Sequence, residues 1–262
     1  MSDYNSFTDL NVTLEQFVAT VEITRGPYNF FDFPLIRALA DVYDVLDKDP
    51  QCRAIVLCSQ GKAFCAGANF SERPAVDNGE QREQAGHLYI EAVRLFQCHK
   101  PVVAAVQGAA VGGGLGLAMS ADFRVTCEEA RFAANFSRLG FHQGFGLTVT
   151  LPRAIGSSNS EWMFYSGERV KGADAVRMGM AQRLVPLAEV RQSAFDMARE
   201  IAISAPLAVR EIHKTMRGTL PEEVRAATDH ELKIQSQLRN SEDFREGIKA
   251  MSERREPHFQ GR

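Results

Sequence analysis

Hydrophobic and polar positions change period several times along the chain. Val12 to Leu14 and Phe17 to Ile23 alternate as antiparallel strands do, whereas Phe33, Ile36, Leu39, Val42, Val45 and Leu46 follow the spacing of one helix face. Asp32 stands before that helix as an N-cap, and Pro50 marks its end. Ala54 to Cys58 is a continuous apolar run closed by Ser59-Gln60-Gly61, the pattern of a strand buried on both faces. Glu72 to Glu83 is polar and turn-rich and predicts a mobile loop. Beyond it, Leu88, Ala92, Leu95 and Phe96 predict a helix, Pro101 to Val106 a second buried strand, Leu115 to Met119 a helix, and Phe123 to Thr126 a third strand.

Strands alternating with helices over short connections predict an α/β sheet with βαβ crossovers. From about Glu189 the pattern is almost entirely helical, broken at Pro206 and at Thr219-Leu220-Pro221. The expected division is an α/β core over 1–195 and a helical C-terminal segment over 196–262.

Composition narrows the class. With 262 residues and 45% hydrophobic content the chain can bury a sizeable core. The net charge is −3 and the basic residues are dispersed, which gives no electrostatic footprint for nucleic acid. Five cysteines, an odd number with no C-x-x-C pair, fit a reduced intracellular protein without a metal site. The start lacks a signal pattern and no run reaches the roughly 18 apolar residues of a membrane helix, so a cytoplasmic protein with no membrane partner is expected.

Two glycine-bearing turns follow buried strands, 61-GKAFCAGANF-70 and 108-GAAVGGGLG-116. In a parallel sheet such turns meet at one edge, where ligands bind. At the start of the second helix the first amides lack internal acceptors and the helix dipole adds positive charge, so Gly113 offers a donor to an anion that no Cβ obstructs. Close helix-to-strand packing is the other reading of the glycines. Neither G-x-G-x-x-G nor G-x-x-x-x-G-K-[ST] occurs, which speaks against a nucleotide phosphate.

Together AFCAGAN (63 to 69), KPVVAAVQGAAVGGG (100 to 114), SADFRVTCEEARFA (120 to 133) and the tail Arg254-Arg255-Glu256-Pro257-His258-Phe259 resemble the crotonase, or enoyl-CoA hydratase/isomerase, family over nearly the whole chain. The resemblance implies a spiral of ββα units with C-terminal helices that assemble a homotrimer or homohexamer. It also implies an acyl-CoA substrate whose thioester oxygen sits between the amides of Ala68 and Gly113 as an enolate forms. Coenzyme A then belongs to the substrate and no separate cofactor is needed. Arg25, Ala66 and Arg254 are the implied coenzyme A contacts, and Phe30 and Phe31 line the acyl tunnel or pack in the core.

The chain departs from that family where protons are handled. The places of the two hydratase glutamates hold Gly116 and Phe136, and an acidic place used by dienoyl isomerases holds Gly144. Syn hydration needs one group to deprotonate water and another to protonate carbon. Standard hydration is therefore not expected, and a lyase, decarboxylase or hydrolase acting on an acyl-CoA is; a non-catalytic acyl-CoA-binding or assembly protein is the alternative. His142 is the candidate acid/base, against a structural or solvated role. Ser137, Gln143, Thr148, Cys65, His87 and Tyr89 are also expected near the pocket, with Cys65 read as packing and Asn69 as the cap of a following helix. Glycine at 116 is expected to open space for a bulky acyl group.

Overall fold

The computed structural model describes residues 4, 7–69 and 79–262, with 79–87 described by their backbone alone. The loop over Glu72 to Glu83 therefore lies outside the described residues as far as position 78, and its remainder already belongs to a helix.

β1 (Leu10–Glu15) and β2 (Val18–Ile23) form an antiparallel hairpin, Leu10 opposite Ile23. α1 (Phe33–Lys48) begins where the Asp32 carboxylate accepts the Leu35 amide at 3.0 Å, with Pro34 in the first turn. β3 (Ala54–Ser59), β4 (Ala63–Cys65) and α2 (Gly79–Phe96) form one ββα turn of the chain, and β5 (Val102–Val106), β6 (Ala109–Val111) and α3 (Gly113–Ser120) the next. β7 (Phe123–Thr126) and β8 (Arg131–Ala133) open a third, followed by a 3-10 turn over Asn135–Leu139, α4 (Leu147–Ile155) and α5 (Ser157–Ser166). β9 (Arg169–Lys171), α6 (Gly172–Arg177) and β10 (Arg183–Leu184) complete the α/β part.

Each turn contributes one strand to each of two sheets. The larger runs β1-β2-β3-β5-β7-β10 and the smaller β4-β6-β8-β9. This is the ββα spiral that the resemblance implies. Every residue of β3 and β5 is buried, which explains their unbroken apolar runs, while β1 at the edge alternates. The three-residue strands of the smaller sheet are too short to carry a period.

The rest of the chain is helical: α7 (Val190–Ala202), α8 (Pro206–Arg217), α9 (Leu220–Leu238) and α10 (Glu242–Glu253). Ala194, Ala198 and Ala202, one turn apart, let α7 lie close on β3, β5 and β7, so a boundary at 195 would cut through a helix that covers the sheet. α9 packs on α2 and α4, and α10 on the 3-10 turn. No described helix is long and apolar enough to cross a membrane.

α8 is tied to the core by one largely buried carboxylate, its side chain 16% exposed. Asp122 Oδ1 accepts from His213 Nε2 at 2.9 Å and from Arg217 Nη2 at 2.9 Å, while Oδ2 accepts the Val102 amide at 2.8 Å. Burial by itself would raise this carboxyl, but Arg217 and His213 outweigh it and hold it down at about 2. A depressed pKa contributes stability above the ordinary aspartate range and loses it as pH falls, here worth about 2 kcal/mol between roughly pH 4 and pH 2. Asp122→Asn should cost about 3 kcal/mol in urea unfolding at neutral pH and flatten the acid limb of stability. An unchanged acid limb in the variant would show that this carboxylate is not responsible.

Candidate active site

The smaller sheet brings the two glycine turns together. β4 and β6 are parallel, with Cys65 opposite Ala110, and Ala68 and Gly113 each follow three residues beyond that pair. The turns then touch backbone to backbone. A Cβ on Gly114 would collide with the Cys65 carbonyl oxygen, and one on Gly67 would lie 2.8 Å from the Val111 carbonyl oxygen. Packing therefore requires the glycine at 114, while the glycine at 113 begins α3, where its amide has no acceptor inside the helix. Ala68 forms a parallel bridge with Phe31 in which Phe31 N–H donates to Gly67 O at 3.0 Å. In that phase the Ala68 N–H points away from Phe31. Ala68 and Gly113 both line a cavity of about 970 Å³.

Three phenylalanine rings close around the glycine run. Phe31 lies against Gly113, Phe136 is 3.7 Å from the place of a Gly112 Cβ, and Phe145 Cβ and Cδ1 lie 2.5 and 2.8 Å from that of Gly116. The space expected to open at Gly116 is thus taken by Phe145, and the second glutamate place presents the ring of Phe136 to the cavity. At Gly144 the missing side chain is replaced by Tyr89 Oη and Gln235 Nε2. Tyr89 Oη donates to Gln235 Oε1 at 2.9 Å; burial, with the Glu231 charge next, pushes this phenol well above its ordinary range and keeps it protonated.

Phe145 is held by a loop of unusual conformation. Its φ is +62° and that of Gly146 +72°, a left-handed pair that costs a bulky residue about 1 kcal/mol or more. The Glu231 carboxylate, fully buried on α9, accepts from Gly146 N at 2.9 Å, Thr148 N at 3.2 Å and Thr148 Oγ1 at 2.6 Å, capping α4 from outside. One turn later on α9, Gln235 Nε2 donates to the carbonyls of His142 and Gln143, both at 3.0 Å. Sequence reasoning missed Phe145, Glu231 and Gln235. The signals were the glycines flanking Phe145 and the polar Thr228, Glu231 and Gln235 at core-facing spacing with Val224.

Other expected site residues divide. Ala66 and Arg254 line the cavity, as do Phe30, Phe31 and Tyr89. His142 does not: its Nδ1 lies 2.9 Å from the Gln143 carbonyl and its ring packs edge-on against His230, with centroids 6.0 Å apart. Arg25 is also off the wall, paired with Asp9 at 2.6 Å and with Asp32 at 2.8 Å. Ser137 Oγ donates to the Tyr165 carbonyl at 3.3 Å, Thr148 is held by Glu231 and Gln143 is buried beside its loop. Burial pushes the Cys65 thiol up to about 12, consistent with packing. The His87 side chain and the segment after Asn69 lie outside the described residues. No cluster of three or more metal-ligating side chains occurs among the described residues.

The family model for enoyl-CoA hydratase/isomerase matches residues 13–262. A probable enoyl-CoA hydratase of Bacillus subtilis is 29% identical over 256 residues, 96% of this chain and 98% of that protein. A carnitinyl-CoA dehydratase of Proteus mirabilis is 32% identical over 263 residues, 97% and 98% of the two chains. Among solved structures, an enoyl-CoA hydratase/isomerase of Pseudoalteromonas atlantica superposes with a TM-score of 0.85 at 27% identity, covering 96% of this chain and 100% of that one.

The meeting of the two turns makes one substitution decisive. Gly114→Ala places a methyl against backbone that cannot rotate away and should lower stability by about 3 kcal/mol or more, measured by urea unfolding. A loss below about 1 kcal/mol would mean that the turns are not in close contact.

Proposed function

Because the chain belongs to the enoyl-CoA hydratase/isomerase family, we propose that it acts on an acyl-CoA thioester whose carbonyl oxygen is held by the main-chain amides of Ala68 and Gly113. As an enolate forms, negative charge gathers on that oxygen, and fixed donors stabilise it at no cost of reorganisation. The observation that carries this reading is the packed pair of turns, with both residues lining one cavity, each three residues past the Cys65–Ala110 pair of the β4–β6 ladder. Ala66 and Arg254 on the same wall contact the coenzyme A portion, which arrives with the substrate.

The reaction is not standard hydration. That chemistry needs two positioned proton-transfer groups, and Phe145 and Phe136 occupy the space beside the thioester where the family's glutamates would stand. A lyase, decarboxylase or hydrolase reaction fits better. In a decarboxylation, for example, the electron pair of the breaking bond between Cα and the carboxylate moves onto the thioester oxygen, carbon dioxide leaves, and water protonates Cα. That sequence uses the two amides and no protein carboxylate.

The working form is a homotrimer or homohexamer in the cytoplasm. Leu207, Ile212 and Met216 on α8 and Trp162 and Tyr165 on α5 are exposed by 62 to 80%, large apolar side chains that subunit contacts would cover. Light scattering on the purified protein should give three or six times the mass of one chain, and a monomer would overturn the assembly.

Ala68→Pro removes one donor and puts the ring Cδ where the amide hydrogen pointed. With a panel of β-carboxyacyl-, 3-oxoacyl- and enoyl-CoA esters, it should reduce turnover of the active ester by about 10²-fold or more. Unchanged turnover would exclude this amide. Rapid hydration of crotonyl-CoA by the wild type would overturn the carboxylate-free reading, and binding without turnover across the panel would favour a non-catalytic role.

A further inference from the structure

The acyl-thioester reading leaves the acyl group open, and the cavity wall carries information about it. Phe31, Phe136 and Phe145 do not merely lie in the core. They come against Gly113, Gly112 and Gly116, the run that contains the proposed oxygen donor, and all three line the cavity. Whatever is attached to a thioester held at Gly113 therefore meets aromatic rings within its first few atoms.

Each ring is fixed from behind. Phe31 bridges to Ala68, and its ring meets Phe145 edge-on, with centroids 5.8 Å apart and planes at 66°. Phe136 stacks on Phe141 at 6.4 Å and 23°, and Phe141 in turn packs on Phe244 of α10 at 5.0 Å. Phe145 is set by the left-handed loop that Glu231 and Gln235 fasten. Ring faces and edges in fixed, differing orientations suit a flat ligand with its own quadrupole. A rigid ring also loses less freedom on binding than an alkyl chain with the same number of carbons.

Resting on that reading, we propose that the substrate is an aryl-bearing acyl-CoA, its ring close to the thioester and seated among Phe31, Phe136 and Phe145. Each offset or edge-to-face ring contact adds about two- to tenfold in affinity beyond area alone.

The test is a binding comparison on the full chain with phenylacetyl-CoA, cyclohexylacetyl-CoA and octanoyl-CoA, which carry equal numbers of acyl carbons and share the coenzyme. Phenylacetyl-CoA should bind about tenfold more tightly than either of the others. Phe145→Leu, and separately Phe136→Leu, keep apolar volume but remove a ring; each should reduce the preference for phenylacetyl over cyclohexylacetyl by about two- to tenfold while the Kd for cyclohexylacetyl-CoA stays nearly constant. Using two variants guards against one failing to fold. Equal affinity for the phenyl and cyclohexyl esters in the wild type, tighter octanoyl binding, or a preference untouched in both leucine variants would overturn the proposal while leaving the acyl-thioester reading intact. If none of the three esters binds, the acyl-thioester reading itself falls and this inference with it.

Discussion

The structure turns on the contact between two stretches of main chain, the turn after β4 and the turn after β6. Only hydrogen at the Gly114 α-carbon lets the Cys65 carbonyl come so close, and that approach locks α3 against the smaller sheet. Two amides from separate ββα units then stand in a fixed relation that no side-chain rotation can change. Catalytic donors built from backbone gain their value from this rigidity, since the strength of a preorganised donor lies in not having to move when charge appears.

A glycine-lined helix start leaves a hollow, and how the hollow is filled decides the chemistry. Here aromatic side chains fill it, and the group that holds the most intrusive of them is a buried charge. Glu231 would be costly in an apolar interior if unpaired. Two amides at the head of α4 and the Thr148 hydroxyl supply charge-assisted hydrogen bonds to it, and the helix dipole has the favourable sign. Its service is orientation: it stabilises a loop whose left-handed backbone at Phe145 would otherwise relax and carry the ring off Gly116.

Much of this was legible in the chain. Buried strands read as apolar runs because both faces are covered, and Asp32 announced α1 through simple hydrogen-bond chemistry. Gly116 and Phe136 were readable as absences of carboxylate. What replaces the carboxylate was not, because Phe145 reaches Gly116 from 29 positions away, along a path set by positive φ angles that local pattern does not specify. His142 looked apt by position and type, yet it precedes the loop's left-handed residues and its ring is turned toward His230 rather than the cavity. Gln235 and Glu231 lie in a segment read only as helical, far along the chain from the loop they hold.

Those two residues alter how the C-terminal helices should be regarded. A segment that only joined subunits could be removed with the pocket left standing. In this protein α9 supplies the carboxylate and the amide that fix the Phe145 loop and contributes Gln235 to the wall, with Arg239 just past its end, while α10 contributes Met251 and is followed by Arg254. α8, which leads into α9, is anchored by Arg217 and His213 on Asp122, a residue between α3 and β7. The chain is thus closed on itself twice around α3, once through Asp122 and once through Glu231. α4 packs on α3, so the helices that follow the α/β spiral brace the elements beside the turn that bears the Gly113 amide.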